Sequence, residues 1–258
     1  MNTTPSINRP LEPQRRAIIV GASSGLGAAL VRRLAARGYR VAAVARREAE
    51  LAALRDSVNQ DGRQSVCAYI HDVTEHQQVP ALFDQITRDL GGLDLIIYAA
   101  AVQPAVKPHE YDFAKDEAMI RTNLLGAIAW LNQAAARFER AGGGQIVGIS
   151  SIAGDRGRVG SPVYNASKAG LNTYLEALRN RLSRHGVTVT TIKPGFIDTE
   201  LLKNAPKTFW VISPDEAAAR TLAAADARKQ TAYIPPRWRL VGLIVQALPS
   251  FVFRRLNF

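Results

Sequence analysis

Six short runs rich in apolar and β-branched residues punctuate the chain: Ala17–Val20, Val41–Ala45, Ser65–Ile70, Leu93–Ile97, Gln145–Ile149 and Val187–Ile192. Segments of helical period fill the intervals between them. The runs read as strands covered on both faces, and right-handed crossovers then join parallel neighbours. The expected fold is therefore α/β, a doubly wound parallel sheet with helices on both faces. A length of 258 residues suits one such domain. With no repeat or low-complexity linker, the chain divides into a flexible N-terminal extension over 1–15, a domain over 16–234 and a terminal segment over 235–258.

Composition narrows the classes. At 47% hydrophobic and 21% charged residues the chain matches globular usage and excludes collagen-like, disordered and coiled-coil proteins. The longest apolar stretch, Leu240 to Leu248, is interrupted by Gly242 and Gln246 and is too short to cross a bilayer. The polar start, Met1 to Arg16, carries three prolines and no apolar core, so it does not read as a secretory signal, and the cytoplasm is the expected address. One cysteine, Cys67, and four scattered histidines offer neither a disulfide nor metal-ligand spacing, so no metal is expected. The net charge is 33 − 22 = +11, but no recognition motif accompanies it, so a solvated basic surface is expected rather than nucleic-acid binding.

Directly after the first run comes Gly21-Ala22-Ser23-Ser24-Gly25-Leu26-Gly27, followed by a helical segment from Ser24 to Arg37 with Leu26, Leu30, Val31 and Leu34 on one side. Glycines at a strand-to-helix turn let backbone N–H groups approach a pyrophosphate, whose charge the helix N-terminus favours. The alternative is a tight turn that only packs helix on strand. The second run ends in Ala45-Arg46-Arg47, where an NAD site would usually place an acidic residue for the ribose hydroxyls. A guanidinium fork suits a phosphate dianion instead, so Arg46, supported by Arg47, favours NADP(H) over NAD(H), unless the pair is simply a solvated helix start. After the third run, Asp72 beside Val73 is placed to bond an adenine amino group, and it is equally an ordinary helix N-terminal signal.

Tyr164 and Lys168 sit one turn apart at the start of an amphipathic segment that runs to about His185. A second pair at the same spacing, Tyr111 and Lys115, follows a proline-interrupted loop and reads as a surface coincidence. Tyr164 instead follows a strand tipped by Ser150-Ser151. A nearby ammonium is expected to lower the phenol pKa, which lets Tyr164 exchange a proton with a carbonyl oxygen while Ser151 bonds the same oxygen.

With these motifs in order, the span from about Ala17 to Ile234 resembles the short-chain dehydrogenases/reductases. The resemblance rests on Gly21, Gly25 and Gly27 in G-x-x-x-G-x-G, on Asn123 within Asn123-Leu124-Leu125-Gly126, on Ser151, on Tyr164 with Lys168, and on Pro194-Gly195 followed by Thr199. It implies a seven-stranded Rossmann-type sheet and carbonyl–alcohol interconversion with a nicotinamide cofactor. By the same resemblance Tyr164 is the general acid/base, Ser151 the substrate-oxygen partner, and Lys168 a ligand of the nicotinamide ribose. Asn123 would organise a relay water, Ala100 would bind the cofactor, and Gly195 and the Ile197 to Thr199 stretch would meet the nicotinamide end. A homodimer or homotetramer is implied as well. The competing reading is a catalytically silent dinucleotide-sensing or scaffold protein on the same fold; all four catalytic residue types are nonetheless present.

The chain departs from the family pattern in places. Val20 replaces the usual threonine before the first glycine. Tyr98-Ala99-Ala100-Ala101 stands where Asn-Asn-Ala-Gly is common, which removes a sheet-bracing asparagine. Only about seventeen residues separate Gly195 from Ser213-Pro214-Asp215-Glu216, which reads as a helix-starting capping box, so the substrate lid is short. From Tyr233 to Phe258 there is no acidic residue, and Arg237, Arg239, Arg254 and Arg255 accompany Trp238, Phe251, Phe253 and Phe258. That composition suits peripheral membrane contact or a lipid-linked ketone or alcohol substrate; the other reading is a helix that completes the core or a dimer contact.

Overall fold

The structure is a computed structural model that describes residues 14–62, 64–107, 109–204 and 208–255. The expected extension therefore lies almost wholly outside the described residues, as does Phe258.

Seven strands form one parallel sheet: β1 (Arg16–Val20), β2 (Arg40–Ala45), β3 (Val66–Ile70), β4 (Leu95–Tyr98), β5 (Gly144–Ile149), β6 (Val187–Pro194) and β7 (Thr231–Ile234). Their order is β3-β2-β1-β4-β5-β6-β7, and every pair is parallel. The helices are α1 (Gly25–Ala36), α2 (Glu48–Val58), α3 (Val79–Leu90), α4 (Phe113–Ile120), α5 (Gly126–Ala141), α6 (Pro162–Leu182), α7 (Pro214–Asp226), α8 (Trp238–Ala247) and α9 (Ser250–Phe253). The six expected strands are present, with ends displaced by no more than two residues. The seventh, Thr231–Ile234, is a four-residue edge strand that bonds only β6 and is too short to stand out by composition.

Alternation along the strands feeds two cores. Ala17 and Ile19 of β1 join Leu30 and Leu34 of α1, Leu51 of α2 and Leu222 of α7 on one face. Ile18 and Val20 join Phe83 of α3, Trp130 of α5 and Leu175 of α6 on the other. This double coverage is why the strand sequences are apolar on both sides. Strand order reverses between β1 and β4, and a crevice opens beyond the carboxyl ends at such a switch point. Gly21, Ala99, Ser150 and Gly195 each leave a strand at that end, so chain topology alone brings together the segments expected to hold the chemistry.

Candidate functional site

The glycine loop is fixed by its neighbours. The N–H groups of Gly21 and Ala22 donate to the Val44 carbonyl at 2.8 and 3.1 Å, which ties the loop to the end of β2. Gly21 (φ +91°) approaches β4 so closely that a Cβ would lie 2.4 Å from the Ala100 nitrogen, and a Cβ on Gly25 (φ +51°) would lie 2.8 Å from Thr199 Cγ2. Ala100 and Thr199 thus bound the loop from two sides. A Cβ on Gly27 would meet the Gly21 carbonyl at 2.0 Å, so this glycine serves the packing of α1 on its own loop. The Leu26 side chain is buried in the α1 core, leaving its backbone for the cleft. The first turn of α1 has neither a side-chain cap nor an acidic residue, so its N–H groups offer an uncompensated positive end to an anion. A groove lined by Ser24, Gly25, Asp198, Thr199 and Leu202 runs past it.

The two arginines at the end of β2 make different contacts. Arg47, not Arg46, reaches the loop: its Nε and Nη2 donate to Ser23 Oγ at 3.1 and 2.9 Å, and Nη2 also donates to Ser24 Oγ. The Arg46 side chain is 63% exposed and lies 3.7 Å from Asp72 Oδ2. Asp72 in turn accepts from the N–H and Oγ1 of Thr74 at 2.9 and 2.8 Å. Burial raises the Asp72 pKa, but the Thr74 bonds and Arg46 outweigh it and hold the carboxyl below its ordinary value. Val73 turns its side chain into the α3–α5 core.

Ser151, Tyr164, Lys168 and Asn123 converge where β5 ends against α6, and all four are buried. Ser151 Oγ accepts from the Ala153 N–H at 3.0 Å, and Ala153 packs against Tyr164. Lys168 Nζ donates to the Ile149 carbonyl at 3.0 Å. One expectation changes here. Burial pushes the Tyr164 phenol above its ordinary value, with Ser151 and the Arg158 guanidinium pulling against it and Lys168 contributing nothing resolved. Lys168 is buried too, and desolvation draws its own pKa down to about 8.

Asn123 lies in a single π-helical turn, Arg121–Leu125, between α4 and α5. Its side chain is saturated: Oδ1 accepts from the Val102 N–H at 2.8 Å, and Nδ2 donates to the Val102 carbonyl and to Ser167 Oγ at 3.0 and 3.2 Å. Ser167 Oγ passes the chain on to the Tyr164 carbonyl at 2.8 Å. The brace expected to be missing at position 98 is supplied by Tyr98, whose hydroxyl donates to the Thr122 carbonyl at 2.6 Å. Sequence reasoning missed Arg158, Ser167 and Tyr98 as site residues; only Ser167, a polar residue inside the Tyr-to-Lys turn, carried a local signal.

At the end of β6, Pro194 is buried and pairs with Ile234, and the Gly195 N–H donates to the Ile234 carbonyl at 2.9 Å. A Cβ on Gly195 would lie 1.9 Å from Trp238 Nε1, so α8 packs directly on this turn. Ile197 bridges Ile212, closing the lid at its base, and Ser213 Oγ accepts from the Glu216 N–H at 3.1 Å as the capping box requires. Phe196, Phe209, Trp210 and Trp238 form one ring cluster with centroids 5.0–5.7 Å apart. Tyr111 is 92% exposed, and Lys115 pairs with Glu110, so this second pair is a surface feature. Among the described residues no group of three or more His, Cys, Asp or Glu could hold a metal ion.

Comparison with known proteins agrees with this fold. A family model described as short chain dehydrogenase matches residues 15–209. An uncharacterized oxidoreductase of Mycobacterium tuberculosis is 31% identical over 246 residues, covering 94% of this chain and 97% of that protein. A cis-4-hydroxycyclohexanecarboxylate dehydrogenase of Sinomonas cyclohexanicum is 34% identical over 197 residues, covering 75% of this chain and 77% of its own. Among solved structures, an actinorhodin polyketide ketoreductase variant with NADPH superposes with a TM-score of 0.77 at 25% identity, over 85% of this chain and 94% of that one. ElxO with NADP bound shares the fold with the same TM-score at 20% identity, over 86% and 97%. With its matched span, its seven-stranded sheet and its oxidoreductase relatives, the chain belongs to the short chain dehydrogenase family.

Proposed function

We propose that this chain is an NADP(H)-dependent oxidoreductase that interconverts a ketone and a secondary alcohol, with Tyr164 as general acid/base. The observation that carries the reading is the placement of Tyr164 and Ser151, both buried at the carboxyl end of β5, with Tyr164 packed on Ala153 and the Ala153 N–H bonded to Ser151 Oγ, so that the two hydroxyls can meet one carbonyl oxygen. Burial keeps the phenol protonated at neutral pH, the form that reduction needs. Tyr164 gives its proton to the substrate oxygen, Ser151 donates to that oxygen as charge develops, and Arg158 offsets the phenolate left behind. Lys168 holds the ribose of the nicotinamide end, and the main-chain carbonyl of Asn123 in the π-turn takes a relay water, its side chain being already engaged. The bound nicotinamide cofactor supplies or accepts the hydride.

Ser23, Ser24, Arg46 and Arg47 favour the phosphate of NADP(H), and with no acid at the end of β2, NAD(H) is the weaker ligand. The solved relatives carrying NADP or NADPH support the same choice. The aromatic cluster of the lid and α8 suits a bulky hydrophobic or lipid-linked ketone or alcohol, and the family habit of assembly points to a homodimer or homotetramer. The test is NADPH consumption across ketosteroids, acyl ketones, quinones and keto-sugars of graded size. Turnover with at least one large apolar ketone is expected; a chain that binds NADPH yet reduces nothing in that series contradicts the reading.

A further inference from the structure

α8 carries apolar residues on two sides. Trp238 and Gly242 are buried and Val241 and Val245 half-buried, the i, i+3, i+4 face that packs on Gly195, Tyr233 and Asp155. At the same spacing on the other side, Leu240, Leu243 and Ile244 are 52–64% exposed. A helix of this kind finds only half of its apolar surface covered by its own domain. The patch does not stop there. Phe251 of α9 and Phe209, Trp210 and Val211 of the lid are also exposed, and Trp210 and Phe209 touch Trp238 at 5.4 and 5.0 Å. Seven of the twelve large hydrophobics exposed among the described residues thus fall in two short segments that meet, which is not the single scatter ordinary surfaces show.

Around the patch stand Arg237, Arg239, Arg254 and Arg255, all exposed, with the Arg237 guanidinium 4.8 Å over the Trp210 ring. Residues 233–258 contain no Asp or Glu. We propose that the outer face of α8, with Phe251 and the lid aromatics, docks on an anionic lipid surface. A second copy would fit less well, because a two-fold contact through this face sets the arginines of one tail against those of the other, and the tail carries no carboxylate to pair with them. A ten-residue helix, about 15 Å long, cannot cross a bilayer but can lie in its interface with arginines at the headgroups and leucines below. No described helix is long and apolar enough to span a membrane.

The docking face is fastened to the serine loop. Arg156, five residues after Ser151, donates to the Val245 carbonyl at 2.6 Å and to the Leu248 carbonyl at the end of α8, and stacks 4.1 Å from the centroid of Phe253. Resting on the proposed oxidoreductase reading, this ties the lipid-facing helix to the loop that carries Ser151.

The experiment is sedimentation of the full chain with vesicles of phosphatidylcholine alone and of phosphatidylcholine with phosphatidylglycerol, without cofactor or substrate, so its outcome is independent of any turnover result. Retention at least tenfold greater on the anionic vesicles, falling with added salt, is expected. Arg254→Gln with Arg255→Gln should weaken it by roughly five-fold per arginine. Leu243→Ser with Ile244→Ser should weaken it at least tenfold while the thermal midpoint, which reports folding, stays near wild type. Equal retention on both vesicle types, or none, overturns the proposal. So does a Leu243→Ser and Ile244→Ser chain that changes from oligomer to monomer with vesicle retention intact, which would assign the face to a second copy.

Discussion

Lys168 Nζ lies 5.8 Å from the ring centroid of Tyr164 and is held by the Ile149 carbonyl, so the lysine is anchored to the end of β5 instead of aimed at the phenol oxygen. Its burial has a consequence for stability. Folded, Lys168 releases its proton near pH 8, whereas the unfolded chain keeps it to about 10.5. Between those values the unfolded state binds more protons, so stability rises with pH across the window and the gain is absent below about pH 8. The full effect is on the order of 3 kcal/mol. Denaturant midpoints measured from pH 7.5 to 10 should show this slope in the wild type and lose it in Lys168→Met; parallel profiles for the two chains would mean that the ammonium is solvated.

Tyr164→Phe removes the phenol hydroxyl while leaving the ring in its packing place beside Met119 and Ala153. Turnover should fall by roughly 10²–10⁴-fold, the usual worth of a positioned proton donor, with NADPH affinity and the unfolding midpoint little changed. Stopped-flow NADPH oxidation with the best ketone checks it, and a variant within a few-fold of wild type would move the proton source to another group.

Much of this site is readable in the chain because its parts are local. The glycine loop, Ser151 at a strand tip and Tyr164 four residues before Lys168 each need only a strand end or one helical turn to be placed. What the sequence hides depends on partners far along the chain. Whether Lys168 charges the phenol depends on where the Ile149 carbonyl ends, nineteen residues away. Tyr98, where an asparagine is common, braces the end of β4 only because its hydroxyl meets Thr122, twenty-four residues on. Arg46 and Arg47 are adjacent in a segment leaving a strand, where successive side chains point to opposite sides, so composition cannot say which one faces the glycine loop. The acidification expected of Tyr164 went the other way for a related reason: burial acts on both members of the pair, and spacing does not report it.

The division between the two arginines predicts separable effects on cofactor choice. Arg47 already bonds both loop serines, so Arg47→Ala should disturb the loop and weaken NADPH and NADH together. Arg46, exposed and held only at 3.7 Å by Asp72, is free to turn to a ribose phosphate. Arg46→Ala should therefore weaken NADPH about ten- to hundred-fold, as expected for a lost charge-assisted bond, with NADH nearly unaffected. Fluorescence titration of both nucleotides separates the cases; identical losses for the two would place the phosphate elsewhere.

Asp155 lies between the serine loop and α8, and its environment makes it the most sensitive link in that connection. Its side chain is 1% exposed and accepts from Lys193 Nζ at 2.5 Å and from the Tyr233 hydroxyl at 2.8 Å, and a Cβ on Gly242 of α8 would lie 2.9 Å from its Oδ2. Asp155→Asn keeps the shape and can still accept from Tyr233, but it leaves the largely buried Lys193 ammonium without its counter-charge. Breaking one side of such a pair costs about 3–5 kcal/mol, whereas removing both charges is often close to neutral. Asp155→Asn should thus lower the unfolding midpoint markedly, by ~2–4 °C for each kcal/mol in a chain of this size, and adding Lys193→Met should restore most of the loss. If the double variant is no more stable than Asp155→Asn alone, the carboxylate acts through its packing against α8 and not through its charge.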